Sequence, residues 1–147
     1  MSPIATIHLR AVNINDAEIL LDWRNDAITR QYSHSSDFVS AEQHYRWLQS
    51  VMNDPARTLY IAEKNGIPVG TARADLIDGV HILSWTVAPQ ARGHGLAKQV
   101  VKQLLDKTPL PVKAEIKCSN LASIAVAKSN GLRFYSEQGD TQYYVLP

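Results

Sequence analysis

Two turn dipeptides constrain this chain more than anything else in it: Asn65-Gly66 and Asp78-Gly79, each set between apolar runs. Asn-Gly and Asp-Gly tolerate the positive φ that a two-residue hairpin turn demands, and such turns match the twist of the strands they join. The three runs so divided are "TLYIAEK" (58–64), "IPVGTARADL" (67–76) and "VHILSWTV" (80–87). They read as a central antiparallel meander.

The flanking segments alternate between helix and strand signals. "ATIHLRAV" (5–12) alternates well enough for a first strand. In "NINDAEILLDWRND" (13–26), Asn15 is placed to cap a helix, with Glu18 three residues on and Ile14 stapled to Ile19. "RQYSHSSDF" (30–38) is polar and irregular and reads as loop. "SAEQHYRWLQSVMND" (40–54) opens on the capping pair Ser40 and Gln43, with Tyr45, Leu48, Val51 and Met52 at helical spacing. Beyond the meander, apolar positions 96, 100, 101, 104 and 105 form one helix face that "TPLP" (108–111) ends. "VKAEIK" (112–117) alternates as a strand, with Val112, Ala114 and Ile116 on one face. "NLASIAVAKSNG" (120–131) is a short helix closed by Gly131, with Lys128 in its last turn. "LRFYSEQGDTQYYVLP" (132–147) makes two strands around Gly139-Asp140. The order β-α-α-β-β-β-α-β-α-β-β is that of one mixed α/β domain, and 147 residues suffice for a single core.

A net charge of +1 argues against a general nucleic-acid binder, which carries a strongly basic face. No apolar run approaches the roughly 20 residues that span a bilayer, and "MSPIATIHLR" lacks a signal-peptide core, so the expected location is cytoplasmic with no membrane partner. Cys118 is the lone cysteine, which excludes an internal disulfide; placed after a strand, it is expected as a small buried hydrophobe rather than an acyl-carrying nucleophile. The histidines at 8, 34, 44, 81 and 94 lack metal-site spacing, so no metal is expected.

Chemistry concentrates in "VAPQARGHGLAKQV" (87–100). A strand ends at Val87, Pro89 stops its pairing, and a helix begins near Leu96. The first N–H groups of that helix lack internal acceptors, and the helix dipole adds about half a positive charge there. Gly93 and Gly95 permit positive φ and close approach of the backbone to a ligand, with Arg92 and His94 flanking the turn. The arrangement suits phosphate oxygens, although a plain strand-to-helix turn has the same letters. Rossmann spacing fails because Lys98 stands where a third glycine belongs, and no Gly-Lys-Ser/Thr occurs.

"QARGHGLA" (90–97) resembles the pyrophosphate loop Q/R-x-x-G-x-G/A of the GNAT (GCN5-related) N-acetyltransferase family. It follows the third meander strand, where that family has it. "NLASIAVAKSNGLRFY" (120–135) resembles the family's Asn-initiated helix and its Gly-Phe-like ending, here Gly131-Leu132. The resemblance covers nearly the whole chain in element order. It implies a GNAT-like acyl-CoA acyltransferase fold: a central, mixed, largely antiparallel sheet flanked by helices, with a splayed parallel strand pair formed by "VHILSWTV" and "VKAEIK". It also implies acetyl-CoA as co-substrate, held by Trp85, Thr86, Val87, Gln90, Arg92, Gly93, His94, Gly95, Leu96, Ala97, Asn120 and Lys128. Free N–H groups of the strand would face the oxyanion formed during attack.

The chain departs from the family pattern at the proton-transfer positions. The strand before the loop reads His81-Ile82-Leu83-Ser84, without the usual glutamate, which leaves His81 or Ser84 as catalytic candidates. The tyrosine expected seven residues after Asn120 is Ala127, so a hydroxyl must come from Tyr135, or from Tyr143 and Tyr144. "LLDWRNDAITRQYS" (20–33) resembles PseH-like enzymes that acetylate amino groups on nucleotide-linked sugars, and ribosomal-protein acetyltransferases carry related segments. Arg24, Asn25 and Arg30 are the acceptor candidates; surface pairing of the arginines with Asp22 or Asp26 is the plainer alternative. Trp23 and Trp47 read as core. The expected reaction is acetyl transfer to a primary amine, with an amino-sugar-like small molecule ahead of a protein N-terminus or lysine. A non-catalytic acyl-CoA-binding module is the rival, and the chain is expected as a monomer or homodimer.

Overall fold

A computed structural model describes residues 7–147, and the two hairpin turns are where the dipeptides put them. Asn65 and Asp78 both carry positive φ, at 55° and 51°, as the first position of such a turn requires. They join β2 (Arg57–Lys64), β3 (Ile67–Ile77) and β4 (Val80–Val87). With β1 (Ile7–Ala11), β5 (Val112–Lys117), β6 (Arg133–Gln138) and β7 (Thr141–Leu146), these make one seven-stranded sheet in the order β1-β2-β3-β4-β5-β7-β6. Every neighbouring pair is antiparallel except β4 with β5. Positions 5 and 6 of the expected first strand lie outside the described residues.

Helices α1 (Ala17–Asn25), α2 (Ala27–Tyr32) and α3 (Ala41–Met52) precede the meander; α4 (Leu96–Lys107) and α5 (Leu121–Ser129) follow it. The expected capping box opens α3, with Ser40 Oγ accepting from Gln43 N–H and Gln43 Oε1 from Ser40 N–H. Its buried face is His44, Leu48 and Val51, whereas Tyr45 and Met52 are exposed. Helix α5 ends as a Schellman turn: Leu132 N–H donates to Ala127 O and Gly131 N–H to Lys128 O, with Gly131 at φ +91°. Leu132 and Ala127 then pack in one cluster with Ala114, Ile116 and Tyr144.

Two readings of the amino-terminal segment are corrected. The helical stretch starts from a capping box of Asn13 with Asp16, not from Asn15 with Glu18, because a 3-10 turn at Ile14–Asp16 precedes α1. Part of the expected loop is α2, whose Thr29 N–H donates to Asp26 Oδ2. Asp16 also receives two hydrogen bonds from Arg10, each of 2.8 Å, and one of 2.9 Å from Asn13 N–H. The Arg10 bonds hold its carboxyl below the ordinary carboxylate range. Such a depressed pKa gives stability that is complete above the unfolded value near 3.9 and lost as pH falls through the folded value. Asp16→Asn is expected to lower Tm by roughly 3–10 °C at pH 7, from loss of about 1.5–3 kcal/mol. The gap from the parent should narrow below about pH 4, as read by thermal melts across pH.

Candidate active site

Strands β4 and β5 pair in register only at His81↔Val112, Ile82↔Lys113 and Leu83↔Ala114. Beyond Leu83, β4 stays bonded to β3 through Val87, and β5 stays bonded to β7 through Lys117. Each strand is held from its outer side, so the pair splays and opens into a cavity of about 980 Å³.

Strand register fixes what faces that opening. Arg73 lies opposite Ser84, the Leu83↔Ala114 pair puts Ser84 level with Glu115, and Glu115 lies opposite Tyr143. Residues level across neighbouring strands share a face. Arg73, Ser84, Glu115 and Tyr143 therefore form one cross-sheet row, with the splay between Ser84 and Glu115. The row is on the side covered by α2 and α3: Lys117 Nζ donates to Gln31 O at 3.2 Å, and the Arg73 guanidinium stands over the Trp47 ring at 5.6 Å.

One wall of the cavity is the start of α4. Helices α2, α3 and α5 begin with side-chain caps from Asp26, Ser40 and Asn120, but α4 begins at Gly95 with none. Gly95 and Gly93 have φ of +70° and +85°, and a Cβ at either would meet no atom within 4 Å. Both glycines line the cavity, together with Leu96 and Ala97. Uncapped N–H groups, the dipole and open backbone suit a pyrophosphate.

The opposite wall is aromatic and cationic. Trp23, Tyr32, His44 and Trp47 line it with Arg24 and Arg73. Burial, reinforced by Arg24, pushes the His44 pKa down, so its ring is neutral at pH 7. Burial and the charge of Arg30 push Arg24 down, and burial does the same to Arg73. Glu115 faces the cavity with His34 Nε2 at 3.5 Å and Lys113 Nζ at 3.4 Å.

The acetyltransferase (GNAT) family model matches residues 17–132. The chain belongs to the acetyltransferase (GNAT) family. It is an acetyl-CoA-dependent N-acetyltransferase. Solved GNAT structures superpose over nearly the whole length. RimL, a ribosomal L7/L12 alpha-N-protein acetyltransferase in complex with coenzyme A, is similar at TM-score 0.84 and 15% identity, covering 98% of this chain and 96% of that one. The Vibrio cholerae spermidine N-acetyltransferase with CoA and spermine gives 0.84 at 13%, covering 95% and 93%. The aminoglycoside acetyltransferase AAC(6')-Ib with coenzyme A gives 0.81 at 22%, covering 96% and 94%. Curated protein sequences give no match.

In this GNAT chain the expected cofactor residues divide. Trp85, Thr86, Val87, Arg92, Gly93, Gly95, Leu96, Ala97 and Asn120 line the cavity. Gln90 lines a separate, shallower hollow, while His94 and Lys128 line neither. The Arg92 guanidinium is tied down, donating to Asp26 Oδ2 at 2.7 Å and Thr29 Oγ1 at 3.1 Å. Asn120 spends its Oδ1 on the Ser123 N–H.

The structure brings some of the other candidates to the cavity and leaves others away from it. Ser84 lines the cavity, but His81 sits at the closed end of the β4–β5 pair, outside it. Tyr135 is 73% exposed on β6, and Tyr144 is buried; the tyrosine lining the cavity is Tyr32. Asn25 clamps the backbone of Val39, donating and accepting at 2.8 Å, and does not reach the cavity. Arg30 stands 6.0 Å from the Phe38 ring, also outside it. The pairing of Arg24 or Arg30 with Asp22 or Asp26 does not form: Asp26 takes Arg92, and Arg24 donates to Ser35 O at 2.9 Å. Cys118 is exposed in the turn after β5 rather than buried, and does not line the cavity. Among the described residues no group of acidic, histidine or cysteine side chains could hold a metal, and no helix is long and apolar enough to cross a membrane.

Proposed function

We propose that this GNAT enzyme moves acetyl from acetyl-CoA directly to the primary amine of a small acceptor, with Glu115 as the proton acceptor. The observation that carries the reading is the splay between Ser84 and Glu115, which puts a carboxylate at the lip of the opening. Pyrophosphate rests on the N–H groups of 92–97, and the pantetheine arm runs along Trp85–Val87 past Asn120. An alkyl ammonium has a pKa near 10.4 and must lose a proton before it can attack. Glu115 takes that proton first; the freed lone pair then forms the C–N bond, while free N–H groups on the open edge of β4 face the oxyanion. The C–S bond then breaks, and Tyr32 replaces Tyr135 as the candidate donor to the departing sulfur. His34 and Lys113 hold the Glu115 carboxylate in place.

The acceptor side supports a small molecule, amino-sugar-like in size, over a folded protein surface. Tyr32, Ser33, His34, Ser35 and Val39 wall it in from α2 and the segment after it. The test is thiol release from acetyl-CoA with an amino sugar, spermidine, an aminoglycoside and a short peptide offered in turn. Turnover is expected first with the amino sugar. Release with the peptide alone moves the acceptor to protein termini. Thermal stabilisation by acetyl-CoA without thiol release from any amine leaves a binding module.

A further inference from the structure

We infer that the acceptor carries an anionic group, a carboxylate or phosphate, several bonds from its reacting amine, and that Arg24 and Arg73 hold that group. The inference rests on the acetyl-transfer reading above. Both guanidiniums line the acceptor side of the cavity; Arg24 has a donor that the protein leaves unanswered, and Arg73 has only a shared carboxylate. Arg24 Nη1 is buried without a hydrogen-bond partner, and among the described residues no carboxylate lies within 4 Å of Arg24. Arg73 Nε pairs with Asp75 Oδ2 at 3.1 Å, and Arg57 Nε claims the other oxygen of the same carboxylate at 3.4 Å. One carboxylate thus serves two guanidiniums, and positive charge is left over on the cavity side.

A half-buried cation with a buried, idle donor is costly unless a ligand answers it. The phosphates of the co-substrate are poorly placed to do so. Their cradle lies past Val87, and Ser84, level with Arg73, stands three residues earlier on β4, about 10 Å back along the strand. The Trp47 ring under Arg73 packs 5.3 Å from His44, which fixes the guanidinium in advance of binding. Glu115 is the carboxylate on the cavity wall, so the site has opposite charges at its two ends. One strand spacing and the splay beyond Leu83↔Ala114 put Arg73 and Glu115 more than about 10 Å apart at the backbone. An ammonium at one end and an acid at the other match that layout, whereas a polycation meets two arginines.

The test uses matched amines: glucosamine against glucosamine 6-phosphate, pentylamine against 5-aminopentanoic acid, with spermidine as the polycation. Binding is read by thermal shift of the CoA-saturated protein, and turnover by thiol release. At least one acid-bearing partner is expected to exceed its neutral twin by tenfold or more in kcat/KM, and the two pairs tell phosphate from carboxylate. Arg73→Gln and, separately, Arg24→Gln should each erase most of that preference through KM. The KM for acetyl-CoA should stay within twofold. Equal or better use of the neutral twins or spermidine by the parent overturns the inference and leaves acetyl transfer standing. Acid-selective binding without turnover does the reverse: the anion site stands and the catalytic reading falls. If Arg73→Gln does not fold, Arg24→Gln decides alone, and an unchanged acid preference in it overturns the assignment.

Discussion

Glu115→Gln is expected to lower kcat by about 10²-fold or more while leaving the KM for acetyl-CoA nearly unchanged. The substitution keeps the shape of the side chain and removes its capacity to take a proton. Glutamine still fits beside His34 and Lys113, so the splay itself should persist. Loss confined to kcat identifies an interaction made in the transition state rather than on binding. A pH series sharpens the result. If Glu115 takes the proton, the acidic limb of the parent's kcat profile should vanish in the variant. Activity retained within threefold would remove Glu115 from the proton path and pass the role to His44, whose neutral ring lines the same cavity.

That residue was not legible in the sequence, and the reason is physical. The odd positions of "VKAEIK" look like the solvent face of a half-buried strand, because Val112, Ala114 and Ile116 supply a complete apolar face. They are covered by α2 and the segment that brings His34 to Glu115, from a stretch far away in the chain. Helix α2 is itself six residues long, too short for apolar periodicity to show. The buried face of α3 was ambiguous for a related reason: 44, 48 and 51 match helical spacing as well as 45, 48 and 52 do. Packing against Trp47 chose the histidine over the tyrosine. Arg73 did leave a signal, a charge in the middle of a central meander strand, but its meaning depended on the register that brings it level with Ser84. By contrast the hairpins, the Ser40 cap, the Gly131 stop and the glycine loop were legible because each is decided by neighbours within a few residues.

The glycine loop supplies the other large effect. Gly95→Val is expected to weaken acetyl-CoA binding roughly 10- to 150-fold, with only a few degrees lost in Tm. Gly95 sits at φ +70° and ψ 17°, where an L side chain costs about 1–2 kcal/mol and a β-branched one more. Nothing within 4 Å blocks the added carbon, so the penalty is backbone strain rather than collision. The loop relieves it by leaving the left-handed conformation, and the first N–H groups of α4 turn away from the cavity. Losing one hydrogen bond to an anionic oxygen costs about 1.5–3 kcal/mol, which sets the range above. Titration calorimetry with three ligands isolates the cause. Acetyl-CoA and dephospho-CoA both carry the pyrophosphate and should suffer alike. Acetyl-pantetheine lacks it and should bind the variant as it binds the parent. An equal loss for all three ligands would mean that the substitution deforms the splay, and unchanged affinity in a folded variant would reduce residues 92–97 to a turn.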